Sequence, residues 1–473
     1  MKFQKVTALG LAAIMMSAAL AGCGQKTESP SNVSDKKVEG KINLTIGGWP
    51  NETNPASVER YNDYAKQYGE KYPNVNIIPD EASYADAKIF QPKAAAGQLP
   101  TLYTTHFTEI QKTIRSNYAY NITEVLKERG YLDALNPDLL GIATGADGQI
   151  YAIPTNAYMM GLIINRELFE EAGLVNADGT AKIPQTYEEM AITAQTIKQK
   201  TGKAGFAICT TNNCGGWHFM NIAWSYGVNF MKQREDGTWE ATFNTPEAVA
   251  ALQYVKDLKW KYDALPDNSV IDQNEGHKLI GIGEAAMQFD AQGDSYSRQF
   301  GLNPEKLSIG ALPAGPAGRY AQTGGSVVVF SHTATIEEIN AGFDWLELIG
   351  TLTIEYDEQR KENTKKSYET TIAENGIVFP GRSIPLWVNP ERAKAEQEII
   401  DEYTNVDIKH YQEYYDATKK GVVLRPEEPM ACQQLYSVLD NAIQEVITNK
   451  DADCAKLIAT ACEDFQINHL DKL

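Results

Sequence analysis

Positive charge is scarce in this chain. Its 473 residues include 43 lysines and arginines against 62 aspartates and glutamates, which gives a formal net charge of −19 at pH 7. Nucleic acids and anionic lipid surfaces are bound through clustered positive charge, so both kinds of partner are disfavoured. A strongly anionic small ligand is disfavoured as well, unless a local basic pocket receives it.

The sequence lacks the common catalytic motifs. It contains no HExxH, no GxSxG and no P-loop pattern. The possibility of a carboxylate pair for glycoside hydrolysis stays open, because 62 acidic residues provide many pairs. We expect a binding protein with no enzymatic activity, no cofactor and no metal. A secreted, lipid-anchored glycoside hydrolase is the alternative.

Cysteine is also sparse, with six in the chain. One of them, Cys23, belongs to an N-terminal signal described below, and the other five are Cys209, Cys214, Cys432, Cys454 and Cys462. An odd number outside the cytoplasm leaves at least one thiol unpaired. Cys209 and Cys214 are close enough in sequence for a small disulfide loop, and the sequence leaves its formation open. No Cys-x-x-Cys pair or histidine cluster accompanies them, which disfavours a zinc site.

Long apolar runs are missing except at the N-terminus. There, two lysines precede the apolar segment Thr7–Leu20, which is too short to span a bilayer comfortably. The segment ends in Leu-Ala-Gly-Cys, which resembles a bacterial lipobox with cleavage before Cys23 and acylation of that cysteine. We predict a signal peptide over residues 1–22 and a flexible tether over residues 23–40. The mature protein is then lipid-anchored on the extracytoplasmic face of the bacterial cell membrane.

The body of the chain reads as α/β, and its length suggests two domains. It begins with a strand at Ile42–Ile46, a helix opened by Asn54-Pro55 and a strand at Val75–Ile78. A further strand is predicted at Ala204–Ile208, and a polar loop at Cys209–Trp217 precedes a predicted helix.

Two passages have the form of crossovers between domains. Apolar strands at Ile150–Ile153 and Met159–Ile164 flank a break at Pro154-Thr155-Asn156, and a short helix follows that ends at Gly173. Later, strands at Leu307–Leu312 and Ser326–Phe330 flank a segment rich in glycine and proline. A third irregular passage begins near residue 376.

Several short segments, in this order, carry a family likeness. They are Tyr151-Ala-Ile-Pro154, Gly161-Leu-Ile-Ile-Asn165, Pro184-Gln-Thr-Tyr-Glu-Glu189, Gly283-Glu-Ala-Ala-Met287 and Gly421-Val-Val-Leu-Arg-Pro426. Together with the lipobox, they resemble the family 1 extracellular solute-binding proteins of bacterial ABC transporters, which are maltose-binding-protein-like. The likeness extends from about Lys41 to Phe465.

The resemblance implies a two-lobed, periplasmic-binding-protein-like fold of type II, with three hinge crossings and a ligand cleft between the lobes. The first lobe would comprise residues 41–154 and 322–375, and the second residues 155–321 and 376–473. Physical reasoning agrees, because ligands bind at the carboxyl ends of strands in open α/β sheets and such lobes close by hinge motion.

The resemblance also implies the function. The chain would be the substrate-binding lipoprotein of an ABC importer that captures a carbohydrate, expected to be an oligosaccharide, and delivers it to the permease subunits. We expect a monomer with no nucleic-acid partner. A peptide, a polyamine or a phosphorylated compound stays open as the cargo.

Candidate ligand contacts follow partly from the resemblance and partly from residue chemistry. Trp49 would offer an exposed apolar platform, with Asn51 and Glu52 beside it to bond hydroxyls. Trp217 follows two glycines at a position where the family carries a stacking aromatic. Tyr158 falls at a hinge position that is acidic in maltose-binding protein.

The other expected contacts are polar side chains or glycines near strand ends and hinges. They are Thr105, His106, Asp290, Gln292, Gly325, Arg382 and Gln434. Gln433 and Tyr436 flank the last of these and would make a more hydrogen-bonded subsite.

Overall fold

The structure is a computed structural model that describes residues 40–473 apart from 53, 292–295, 298, 376 and 380–383. The predicted signal peptide, the tether with Cys23, and the predicted contacts Gln292 and Arg382 lie outside the described residues. Within the described residues, no helix has both the length and the apolar character needed to cross a membrane.

The strands and helices alternate through most of the chain. The strands are β1 (Ile42–Gly47), β2 (Val75–Asp80), β3 (Leu102–His106), β4 (Ala152–Met159), β5 (Gly161–Asn165), β6 (Met231–Gln233), β7 (Trp239–Ala241), β8 (Met287–Asp290), β9 (Leu307–Ala311), β10 (Tyr320–Phe330) and β11 (Val423–Pro426). The helices are α1 (Pro55–Lys71), α2 (Ala87–Ala95), α3 (Phe107–Arg115), α4 (Thr123–Glu128), α5 (Pro137–Ile142), α6 (Arg166–Glu171), α7 (Tyr187–Thr201), α8 (Cys214–Tyr226), α9 (Pro246–Trp260), α10 (Gln273–Gly281), α11 (Ile336–Leu348), α12 (Glu358–Asn375), α13 (Pro390–Tyr403), α14 (Gln412–Tyr415), α15 (Cys432–Thr448) and α16 (Cys454–Asn468). Short 3₁₀ turns lie at Pro304–Lys306, Ile408–His410 and Leu470–Lys472.

The first sheet has six strands in the order β11-β10-β3-β1-β2, with β4 also paired to β10. β1 runs parallel to β2 and β3, whereas β10 runs antiparallel to β3 and β4. β10 has eleven residues, is the longest described strand and pairs with three others, β3, β4 and β11. The strand predicted at Ser326–Phe330 therefore begins earlier, at Tyr320, and includes Gly324 and Gly325.

The second sheet has three antiparallel strands in the order β8-β5-β9. All five residues of β5 are buried, as expected for a short, continuously apolar strand covered on both faces. Helices α8, α9, α15 and α16 pack against one another, and α10 packs on β8 and β5 of this sheet. β6 and β7 form a separate two-stranded hairpin around Asp236-Gly237.

The chain passes from the first sheet to the second at Met160, between β4 and β5. The predicted break at Pro154-Thr155-Asn156 is wrong, because β4 runs through it. The pairing instead skips one residue there: Asn156 pairs with Ser326 and Pro154 with Val327, so Thr155 is the extra residue of a β-bulge. A bulge accommodates the irregular sequence without ending the strand.

The chain returns to the first sheet between β9 and β10. A later passage leads back toward the second sheet, where α14 packs on β9. The lobe boundary near residue 376 stays a prediction, but the backbone of residues 386–388 still bonds that of residues 134–136, and Arg392 bonds the carbonyl of Thr353. These contacts favour a third crossing after residue 392.

Two local predictions differ from the structure. Ala204–Ile208 forms no named strand, although Ala204 makes an isolated bridge to Ala285 and the N–H of Ala207 donates to the carbonyl of Met287. The segment Cys209–Trp217 is not wholly a loop, since α8 begins at Cys214. The helix begins this early because the side chain of Asp440 caps its first turn.

Candidate functional site

A cavity of about 360 Å³ lies between strands β3, β4 and β10 of the first sheet and helices α8, α10 and α15. This size falls within the range of pockets that hold small molecules. Its lining combines aromatic rings with amide, hydroxyl and carboxyl groups. The lining residues are His106, Thr108, Asn156, Tyr158, Asn212, Asn213, Cys214, Trp217, Gln273, Gly325, Ser326, Glu427, Gln433 and Tyr436.

Trp217 and Tyr158 form an aromatic corner of the cavity. Their ring centroids are 6.2 Å apart and their planes meet at 78°. The phenol of Tyr158 lies over Gly324, where a Cβ atom would come within 2.2 Å of the phenolic oxygen, so any larger residue at this position would displace the phenol. Burial raises the pKa of Tyr158, and its hydroxyl therefore stays a neutral donor and acceptor.

The start of α8 is held by a carboxylate from α15. Asp440 accepts hydrogen bonds from the backbone N–H groups of Asn213 (2.8 Å) and Gly216 (2.7 Å). These bonds satisfy N–H groups that a helix end leaves open, so the helix begins before Trp217. Burial nevertheless raises the pKa of Asp440 to about 6.

Glycine is required where α8 meets α15. A Cβ atom at Gly216 would lie 2.4 Å from the Cα atom of Tyr436. The close approach brings Trp217 on α8 and Tyr436 on α15 to the same cavity. Gly216 thus serves the close packing of α8 against α15.

A hydrogen-bond chain brings a carboxyl group to the cavity wall. Gln322 Nε2 donates to the Tyr436 hydroxyl (2.6 Å), which in turn donates to Glu427 Oε1 (2.8 Å). Burial and, to a smaller extent, the charge of Glu109 raise the pKa of Glu427 to about 7, although the bond from Tyr436 opposes this shift. Among the described lining residues there is no lysine and no arginine.

Amide groups supply further donors and acceptors. Asn156 Oδ1 accepts from the N–H of Ser326 (3.1 Å), and Asn213 Nδ2 donates to Gln433 Oε1 (3.1 Å). A flat aromatic face surrounded by such groups suits a ligand with both C–H faces and hydroxyl groups.

Four of the predicted contacts meet at this cavity. They are His106, Tyr158, Trp217 and Gly325. Gln434 does not line it, but its neighbours Gln433 and Tyr436 do. Contact with a ligand stays a prediction for each of them.

Trp49 does not form the exposed platform that the sequence suggested. Its side chain is only 5% exposed and stacks on Trp345, with 5.6 Å between ring centroids, and against Tyr61 at 5.2 Å. The apolar indole is covered by the neighbouring helix α1 and by α11 from a distant part of the chain. Asn51 and Glu52, next to it, do not line the cavity either.

Thr105 and Asp290 are buried away from the cavity lining. Thr105 lies on the opposite face of β3 from His106, as strand alternation requires, and its hydroxyl is 3.4 Å from the carbonyl of Tyr84. Asp290 accepts from Tyr296 (2.8 Å) and lies 2.6 Å from Nε2 of His277. Its carboxylate is thus committed to internal partners.

The sequence reasoning missed Glu427, Asn156, Asn212, Asn213 and Gln273 as lining residues. Asn212 and Asn213 adopt left-handed backbone angles, with φ of 57° and 68°, which the Asn-Asn pair before two glycines could have indicated. Glu427 carried no local signal.

Cys209 and Cys214 are free thiols, so the small disulfide is not formed. Together with His218 they are the only group of three or more cysteine, histidine or acidic side chains in the described part of the chain whose ligand atoms are close enough to hold a metal ion.

Comparison with known proteins gives the wider context. The family model described as bacterial extracellular solute-binding protein matches residues 53–351. A binding protein of Brucella abortus is 26% identical over 203 residues, covering 42% of this chain and 47% of that protein. A multiple sugar-binding protein of Streptococcus mutans is 20% identical over 224 residues, covering 46% of this chain and 47% of its own length. The chain thus spans about half the length of the curated relatives it matches.

The fold is shared with solved structures. The GacH receptor of Streptomyces glaucescens, studied unliganded and with acarbose, superposes with a TM-score of 0.62 at 17% identity, covering 90% of this chain and 98% of the receptor. This match confirms the predicted two-lobed fold of the periplasmic binding proteins. The family model spans more than half of the chain, and the protein belongs to the bacterial extracellular solute-binding protein family.

Proposed function

We propose that this protein captures an oligosaccharide in the cleft that contains the cavity and delivers it to the permease of an ABC importer. The observation that carries the proposal is the aromatic corner of Trp217 and Tyr158 surrounded by amide and hydroxyl groups in one cavity. Closure of the two lobes would bury the ligand and shift an existing equilibrium between open and closed forms.

The chemistry of the lining supports a sugar. The exposed face of the Trp217 indole would cover the C–H face of a pyranose ring, which provides apolar contact area. Asn156, Gln433 and Tyr436 would pair with hydroxyls, and a ligand that left these groups unpaired would bind less well.

The charges in the lining bear on the alternatives. A phosphorylated cargo would need a basic partner, and the described lining offers no lysine or arginine. A glycoside hydrolase needs two carboxyl groups on opposite sides of the bond that it cleaves, whereas Glu427 is the only carboxylate among the described lining residues. Both points favour a protein that binds a neutral, hydroxyl-rich solute and does not cleave it.

The names of two similar proteins point the same way. The Streptococcus mutans relative is called a multiple sugar-binding protein, and the GacH receptor was studied with acarbose. Neither name identifies the sugar bound by this chain.

A panel experiment tests the proposal. The purified protein is incubated with neutral oligosaccharides, and with a peptide, a polyamine and a sugar phosphate as the other cargo classes. We expect thermal stabilisation by one or more oligosaccharides and unchanged sugars by chromatography afterwards. Product formation would establish the hydrolase instead, and stabilisation by only a non-sugar class would overturn the assignment of the cargo.

Attachment to the membrane is the second part of the proposal. We propose that the mature protein is a monomer anchored through acylated Cys23. Labelled palmitate should be incorporated by the wild-type chain and not by Cys23→Ala in the bacterial host. Equal labelling of both would contradict the anchor, and a dimer in light scattering would contradict the monomer.

A further inference from the structure

Three side chains of soft metal-ligand types meet beneath the cavity. Cys209, Cys214 and His218 are all buried, and one ligand atom from each lies within 4.8 Å of the others. Sγ of Cys214 is 3.7 Å from Nε2 of His218. None of these three side chains is among the hydrogen-bonding groups that we assign to ligand capture.

The fold sets the positions of these three residues. Cys214 and His218 are one turn apart on α8, at the spacing that puts two side chains on the same helix face. Cys209 follows a segment tied to β8 by the bond from Ala207 N to Met287 O (2.8 Å), and Gln288 Nε2 donates to its Sγ (3.2 Å). The two thiols thus come from separate, internally held segments.

We propose that Cys209, Cys214 and His218 bind a single thiophilic d¹⁰ ion, either Cu(I) or Zn(II). Thiolate sulfur sits about 2.3 Å and imidazole nitrogen about 2.0–2.1 Å from such an ion, so ligand atoms around it lie roughly 3.5–4 Å apart. The observed separations need only small side-chain rotations to meet this requirement. Two sulfurs and one imidazole select such an ion over Mg²⁺ or Ca²⁺, which prefer oxygen ligands.

Nearby carboxylates contribute negative charge at the cluster, which is itself deeply buried. The Asp290 carboxylate lies close enough to act electrostatically on both Cys214 and His218, and Asp440 acts on Cys214 as well. Nδ1 of His218 is buried without a hydrogen-bond partner among the described residues, and Nε2 faces the Cys214 thiol. Among the described residues, therefore, no hydrogen-bond acceptor competes with a metal ion for the imidazole ring of His218.

An entry route exists through the cavity. Cys214 lines the cavity and is also part of the cluster, so an ion can reach the sulfur from the solvent side. The proposed metal site shares only Cys214 with the cavity lining and none of the groups that we assign to sugar hydroxyls, so the two proposals can fail separately.

Titration of the reduced, metal-free full chain tests the site. Cu(I) and Zn(II) are added separately in competition with a chromogenic chelator, and Co(II) serves as a spectroscopic probe. We expect one equivalent of a d¹⁰ ion per chain and, with Co(II), the intense near-ultraviolet charge-transfer band of thiolate ligation. The Co(II) spectrum needs no variant, so it is informative even if a variant fails to fold.

Single-ligand variants assign the site. Cys209→Ser, Cys214→Ser and His218→Asn should each weaken binding by at least about 100-fold, whereas Cys454→Ser, which removes a buried thiol elsewhere, should leave it unchanged. The proposal is overturned if the reduced chain binds no ion at one equivalent, if cluster variants bind as tightly as the wild type, or if Cys209 and Cys214 form a disulfide in the protein isolated from the cell exterior.

Discussion

The carboxyl group of Glu427 should make the stability of the folded protein depend on pH. Its pKa is raised from 4.5 to about 7 on folding, chiefly because burial disfavours the charged form. Between these two values the folded chain holds the proton more tightly than the unfolded chain. The free energy of unfolding should therefore fall as the pH rises from about 4.5 to about 7, and should level off above.

The magnitude follows from the size of this shift. A difference of about 2.5 in pKa corresponds to about 3 kcal/mol as an upper limit. Because Glu427 is only partly shielded from the cavity, water will screen part of the cost, and we expect about 1–2 kcal/mol. Glu427→Gln keeps the shape and stays neutral, so its stability should exceed that of the wild type by only about a quarter of that amount near pH 5 and by nearly all of it near pH 8.

Urea unfolding of both proteins at pH 5 and pH 8 measures the effect. The quantity of interest is the difference between the two pH dependences, since all other titrating groups are shared. Glu59→Gln on the exposed face of α1 is the matched control and should behave as the wild type does. An unchanged pH dependence in Glu427→Gln would refute the argument that this buried carboxyl group is destabilised when ionised.

Two further predictions concern packing and ion pairing. Gly216→Ala should lower the free energy of unfolding by about 1–3 kcal/mol, because its Cβ would meet the backbone of α15, whereas Gly69→Ala in α1 meets no atom within 4 Å and should stabilise the protein by about 0.5–1 kcal/mol. Equal effects in urea unfolding would contradict this. Arg129→Met should cost about 1–3 kcal/mol, because Arg129 Nη1 donates to Asp344 (2.8 Å) and Glu347 (2.9 Å) in a partly buried network. A loss below about 0.5 kcal/mol would show that solvent already screens both pairs.

Local sequence signals predicted the elements that local interactions determine. Asn54 caps α1 through the N–H of Ser57, and Gly173 ends the turn after α6 with a φ of 75°. The buried strand β5 was also correctly predicted. The order of the family segments was enough to predict the two-lobed fold, which the comparison with solved structures confirms.

The remainder depends on contacts between residues far apart in sequence. The capping of α8 comes from Asp440, 227 positions from Asn213, so the loop before Trp217 was predicted too long. Trp49 is covered by Trp345 from another part of the chain, and no neighbouring residue indicates this. Glu427 reaches the cavity because β11 pairs with the distant strand β10.

Calorimetric titration of Trp217→Ala with an oligosaccharide that stabilises the wild type tests sugar capture most directly. Loss of the aromatic face should weaken binding by about 1–3 kcal/mol, or roughly 5- to 150-fold. Trp260→Ala, which removes an indole outside the cavity lining, should bind as the wild type does. If folded Trp217→Ala binds the sugar with wild-type affinity, the cavity described here is not where this protein holds its ligand.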